Sequence, residues 1–137
     1  MDGSKSGEKA LEFAKSRAQL IKNSKILICY VIEWSPFSFQ TAEENEQRHK
    51  RREEEINLAK ERILDPALSA VSGAGFTAEG IVKHGDAAEI LDRIAKEHKA
   101  EQIIIGRVGA KGLKERLFGG VSGRLVATSS VPVTIIP

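Results

Sequence analysis

The chain has 137 residues, 41% of them hydrophobic and 29% charged, with a formal net charge of +2. Those proportions fit one ordinary globular domain with enough apolar residue to bury a core, and nothing global in them asks for nucleic acid or an anionic membrane as partner. No apolar stretch approaches the roughly 20 residues of a membrane span, and the opening MDGSKSGEK is not a secretory leader, so a cytoplasmic location is expected.

Residues 8–21, EKALEFAKSRAQLI, place Ala10, Leu11, Ala14, Ala18 and Ile21 on one stripe at the helical period. Ser4 or Ser6 is expected to cap this helix, with Glu8 near its positive end. The run KILICYVIEW at 25–34 has no polar alternation before Glu33, which is the pattern of a strand buried on both faces in a parallel sheet. Its Cys29 is the one cysteine and reads as an inert buried thiol, while His49, His84 and His98 have no metal-ligand spacing.

SPFSFQT follows as a loop, where Trp34, Phe37 and Phe39 are expected to cover the core edge. From Ala42 to Val71 the period is helical again, with Ile56, Ala59, Ile63, Leu64 and Leu68 inward. Pro66 is expected to kink or break that helix near Asp65. The charge run EENEQRHKRREEE at 43–55 mixes both signs without aromatics, so it reads as a solvated face and not as a nucleic-acid site.

SGAGF ends the helix, and TAEGIVK at 77–83 is a short strand, weakened by Gly80 and therefore expected toward a sheet edge. In HGDAAEILDRIAKEHKA, Asp86 and Glu89 form a capping-box pattern, and Ile90, Leu91, Ile94 and Ala95 a buried stripe. His84 reads there as a strand-end residue and not as a base. EQIIIG at 101–106 is another fully apolar strand, followed by the glycine-rich GRVGAKGLKERLFGG, a short helix in VSGRLVATSS and a closing strand VPVTIIP at 131–137.

Such alternation of helix and strand calls for right-handed crossovers and a single α/β domain over 1–137: an open, mostly parallel twisted sheet with helices on both faces. A doubly wound sheet normally opens on a strand, whereas this chain opens on a helix, and MDGS resembles the very end of a first, central strand that is expected to be absent from this sequence. Strands 26–32 and 101–105 must then either pair directly or stand about two strand spacings apart.

In open parallel sheets, ligands bind beyond the carboxyl ends of the strands, and the glycine-rich segment begins at that edge. Glycine lets backbone N–H groups come close to an anion, and a helix starting near Val121 adds its positive end. Arg107, Lys111, Lys114 and Arg116 supply cations, although the segment fits neither the Walker nor the Rossmann glycine pattern. A plain surface loop is the competing reading. Gly106, Gly109 and Gly119 are spaced G-x2-G-x9-G, which resembles the nucleotide-binding signature of the universal stress protein family. DGSKSGEKALEFA at 2–14, the segment 84–109 and the closing VPVTII are similar to that family's first helix, penultimate strand region and last strand.

This resemblance implies a flavodoxin-like sheet, a homodimer built through 131–137, and bound ATP or AMP, with or without Mg2+, in a regulator or sensor with at most slow hydrolysis. It further implies that Asp2 lies near the adenosine, that the Val31 backbone meets the adenine, and that Gly106 and Gly109 approach the ribose and phosphates beside Arg107. Gly119, Gly120, Val121 and Ser122 would cradle the phosphate tail. Gly120 stands where the family's ATP-binding members carry Ser or Thr, and losing that hydroxyl costs on the order of 1–3 kcal/mol against a charged phosphate. The alternative is a family member that binds no nucleotide and acts as an interaction module through dimerisation and the loop 34–42. A proline at Thr134 is expected to separate a dimer built on the last strand.

Overall fold

The computed structural model describes residues 1–33, 42–107 and 120–137. In chain order these form α1 (Lys5–Leu20), β1 (Lys25–Ile32), α2 (Ala42–Ala59), α3 (Asp65–Gly73), β2 (Thr77–His84), α4 (Ala87–Glu97), β3 (Ile103–Gly106), α5 (Val121–Thr128) and β4 (Val133–Ile136). Helices and strands alternate as the hydrophobic periods require. The expected loop 34–41, with its three aromatics, lies outside the described residues, as do Gly109 and Gly119.

Local chemistry sets the helix ends. Ser4 is the cap of α1, its hydroxyl accepting from the Gly7 N–H at 3.0 Å, and Asp86 caps α4 by accepting from the Glu89 N–H at 2.9 Å. Each such cap satisfies a donor that the first helical turn cannot satisfy internally. The long helical stretch does change course, but one turn ahead of the expected position. Winding widens to a π-helical turn over Lys60–Leu64, and Pro66 falls in the first turn of α3. Helix α3 continues from that turn without a break, and the wider winding there is where the helix accommodates the missing N–H and the added bulk of Pro66.

All strand pairing among the described residues is parallel. β1 pairs with β2, placing Ile28 opposite Gly80, and β3 pairs with β4, placing Ile104 opposite Thr134. The two pairs are separate two-stranded sheets, so of the two arrangements open to the sequence the strands stand apart. Helix α1 bridges them, packing chiefly on β3 while also touching β4 and β1.

Most of the core lies over the first sheet. Ile26, Ile28 and Val82 pack with Ala59, Leu64, Ala67 and Val71, and Val71 is fully buried. A side chain of that size contributes about 1.5–3 kcal/mol relative to exposure. Gly80 belongs to this packing: a β-carbon there would lie 2.6 Å from Leu64 Cδ2 and 2.8 Å from Leu68 Cδ1. β2 is an edge strand among the described residues, as expected, but its glycine serves the close approach of the 60–73 helical segment. On the other side α4 packs against β1 and α5, burying Ala87, Ala88, Ile94 and Ala95.

The second sheet departs from expectation. Ile103, Ile104 and Ile105 form an uninterrupted apolar strand, yet all three are only half-buried. Burial requires neighbours on both edges as well as both faces, and β3 has β4 on one edge alone.

Candidate functional site

The carboxyl ends of the strands gather most of the residues singled out in the sequence. Strand β3 ends at Gly106, and the next residue, Arg107, donates its N–H to the Ile136 carbonyl at 2.8 Å. The Arg107 carbonyl in turn receives the Ser122 hydroxyl at 3.5 Å, which ties the start of α5 to the end of β3. Gly120 is the residue ahead of α5, with extended backbone (φ −83°, ψ 179°) and no side chain to cap the helix. Nothing lies within 4 Å of where a β-carbon would stand on Gly120. The first N–H groups of a helix have no intrahelical acceptor and sit at its positive end, so Val121 and Ser122 begin an uncapped, electropositive turn beside Arg107.

Gly106 is tightly approached from the other side. A β-carbon there would lie 2.8 Å from the Ser6 carbonyl carbon, so the absent side chain is what lets the first turn of α1 rest on the end of β3. Asp2 is close along the chain from this contact. Its Oδ1 accepts from the Ser4 N–H at 3.0 Å and from the Ser4 hydroxyl, so it shapes the turn that leads into α1. Both residues therefore have a structural role in this chain.

Val31 is placed by the alternation of the strand. The Gly85 N–H donates to the Ile32 carbonyl at 2.9 Å, so the backbone groups of Ile32 face β2. Successive residues point their N–H and C=O to opposite edges, and the Val31 pair therefore faces away from β2, toward the second sheet. The structure thus brings Gly106, Arg107, Gly120, Val121 and Ser122 together directly, with Asp2 at the adjoining turn.

One functional candidate was not read from the sequence. The Arg124 guanidinium, one turn into α5, donates to both oxygens of Glu33 at 3.0 and 2.9 Å and lies 4.0 Å from Asp86. A cation so near the positive end of a helix is unfavourable in isolation, and the two carboxylates offset that. This mismatch between charge and helix end was the available signal. The pair also links the end of β1 to the helix preceding β4. His84, at the end of β2, holds Glu55 of α2 at 3.0 Å through Nε2. Among the described residues no three His, Cys, Asp or Glu side chains gather as a metal site, and no helix is long and apolar enough to cross a membrane.

An α/β fold of parallel strands, with glycine and a helix start at the carboxyl edge, is the general frame of nucleotide-handling domains. The comparisons fix the family. The model for the universal stress protein family matches residues 1–137, and the chain belongs to that family. It is 35% identical over 75 residues to the universal stress protein YxiE of Bacillus subtilis, covering 55% of this chain and 51% of that protein. It is 30% identical over 93 residues to the universal stress protein MJ0577 of Methanocaldococcus jannaschii, covering 68% and 54% respectively. The chain thus spans about half the length of the curated relatives it matches. A solved structure of MJ0577 superposes with a TM-score of 0.81 at 23% identity, over 99% of this chain and 90% of that one. A universal stress protein in complex with cAMP superposes with a TM-score of 0.68 at 25% identity, over 100% and 91%.

Proposed function

We infer that this protein is an adenine-nucleotide-binding regulator or sensor of the universal stress type, taking ATP or AMP at the carboxyl edge of its strands. The observation that carries the reading is the junction of Arg107 with the uncapped start of α5 at Gly120–Ser122, where backbone N–H groups and the Ser122 hydroxyl stand together. That donor set suits a phosphate tail. The resemblance of Gly106, Gly109 and Gly119 to the family's signature supports the same placement, with Asp2 and the Val31 backbone on the adenosine side. A relative crystallised with cAMP supports an adenine nucleotide as the ligand class. Any Mg2+ would be held mainly by the phosphates, since the described residues supply no acidic cluster for it.

In this reading the protein works in the cytoplasm as a homodimer joined through 131–137. β4 has β3 on one edge only among the described residues, and its Ile135 is exposed, which suits a second copy of the same strand. Calorimetric titration with ATP and with AMP tests the proposal directly. Saturable heat with 1:1 stoichiometry per chain is expected for at least one of them. No heat from either would transfer the protein to the alternative, an interaction module that works without nucleotide.

A further inference from the structure

We propose that Arg124 is a positioning residue of the nucleotide site, clamping the adenine-side strand β1 to the phosphate-side helix α5 through Glu33. The inference rests on the reading of the carboxyl edge as a nucleotide site, and it adds a residue that acts there without touching the ligand.

The clamp joins the two places where the ends of a nucleotide would lie. Glu33 directly follows Ile32, the last residue of β1, and stands two residues beyond Val31, whose backbone meets the adenine in that reading. Arg124 donates its N–H to the Gly120 carbonyl at 3.1 Å and so closes the first turn of α5. The N–H groups of Val121, Ser122 and Gly123 precede that bond and have no acceptor within the helix. The Arg124 guanidinium reaches both Glu33 oxygens, at 3.0 and 2.9 Å. One residue therefore shapes with its backbone the turn offered to phosphate, and holds with its side chain the end of the adenine strand.

Each end is fastened on its other side as well. The Ile32 carbonyl accepts from the Gly85 N–H at 2.9 Å. The next residue, Asp86, caps α4 through Oδ1 and turns Oδ2 toward Arg124 at 4.0 Å. Across α5, the Ser122 hydroxyl meets the Arg107 carbonyl at 3.5 Å. Helical residues two apart point about 200° from each other. The start of α5 is thus held from two flanks, by Ser122 toward β3 and by Arg124 toward β1 and α4.

Local charge decides whether Arg124 meets the phosphate itself. Among the described residues two carboxylates face its one guanidinium, which leaves that flank of α5 net negative and repellent to a phosphate tail. Arg107 lies on the other flank, with Ser122. Arg124 therefore acts through Glu33. By fixing the span between the two ends in the free protein, it removes an ordering cost that a nucleotide bridging both would otherwise meet. A ligand that engages the adenine end alone meets no such cost. The side chains of Arg124 and Glu33 are 38% and 43% exposed, so the pair is screened by solvent and is worth about fivefold in affinity at most.

A double-mutant cycle tests this by calorimetric titration with ATP or AMP, whichever the wild type binds more tightly. Arg124→Gln and Glu33→Gln should each weaken that nucleotide about three- to fivefold, and the double variant should be no weaker than either. Arg124→Lys, which keeps the charge without the fork, should recover only part of the loss. Adenosine, measured by its displacement of that nucleotide, should bind the wild type and every variant alike. Tighter binding by Glu33→Gln would overturn the proposal, because phosphate and Glu33 would then be competing for Arg124. Losses that add in the double variant, or that reach adenosine equally, would overturn it too, marking separate effects or a general loosening of the fold. Unchanged affinity in every variant would remove the clamp and leave the nucleotide site standing, whereas a wild type that binds neither nucleotide would remove the site and the clamp with it.

Discussion

A β-carbon at Gly80 would lie within 3 Å of two leucine side chains, whereas at Gly120 it would meet nothing within 4 Å. Sequence reading saw both as glycines and assigned Gly80 to a weak strand, because the leucines that press on it come from a helix that only the fold brings near. Gly120 is open to change. Its φ of −83° suits any residue, and serine at that position would cap α5 while offering phosphate a hydroxyl. Gly120→Ser should leave stability within a few tenths of a kcal/mol and tighten ATP by about tenfold, the lower part of the range for a hydrogen bond to a charged group. Calorimetry on both proteins reads this, and equal affinities would put the phosphate tail elsewhere. The caps at Ser4 and Asp86 were legible because their signals lie within three residues of each other. The Arg124–Glu33 pair was not, because its members are 91 residues apart.

Among elements, the alternation of strand edges revises the expectation for a dimer. Counting from the Ile103–Pro132 bond, the backbone groups of Thr134 face β3, while those of Val133 and Ile135 face the outer edge. Proline at Thr134 would thus break the β3–β4 ladder inside one subunit. The informative change is Ile135→Pro, which should yield a folded monomer in sedimentation while Thr134→Pro loses structure. A dimer surviving Ile135→Pro would move the contact away from β4. A second element-level feature is the latch between α4 and the turn before β4. Asp92 Oδ1 accepts from the Ser130 N–H and hydroxyl, both at 2.8 Å, and its other oxygen meets Lys96 at 3.1 Å.

These bonds favour the carboxylate, the Ser130 N–H foremost, and hold the Asp92 pKa down to about 2 from an ordinary 3.8. A depressed folded-state pKa means that the latch is at full strength above the ordinary value and fades as pH falls toward about 2. Asp92→Asn should accordingly lower the melting temperature by a few degrees near neutral pH, with the difference from wild type shrinking as the solution is acidified below the ordinary value. Thermal melts across that range check it, and a constant difference would show that charge is not the source. No local pattern announced this contact, since Asp92 reads in sequence as one more solvated residue on a helix.

For the whole chain, the alternation of helical and extended periods and the parallel pairing were legible, because each follows from hydrophobic spacing. The half-burial of β3 was not. Ile103, Ile104 and Ile105 carry the same apolar pattern whether or not a neighbour stands beside them, so pattern reports the environment a strand suits and not the one it has. The candidate site was legible in part for a related reason. Arg107 is held by its backbone N–H on Ile136, and the Ser122 hydroxyl reaches the Arg107 carbonyl, whereas Gly109 and Gly119 of the expected signature lie outside the described residues.

Helix α1 and the strands it covers come from opposite ends of the chain, whereas β1, α2, α3 and β2 are consecutive and hold most of the core. A ribosome delivers residues 25–84 as one stretch able to assemble on release. The helix made before them must keep its β3-facing side bare until residues 133–136 emerge, on the order of ten seconds later at about 5–20 residues per second. Helix α1, made before the strands it covers, is thus among the last of the described elements to dock.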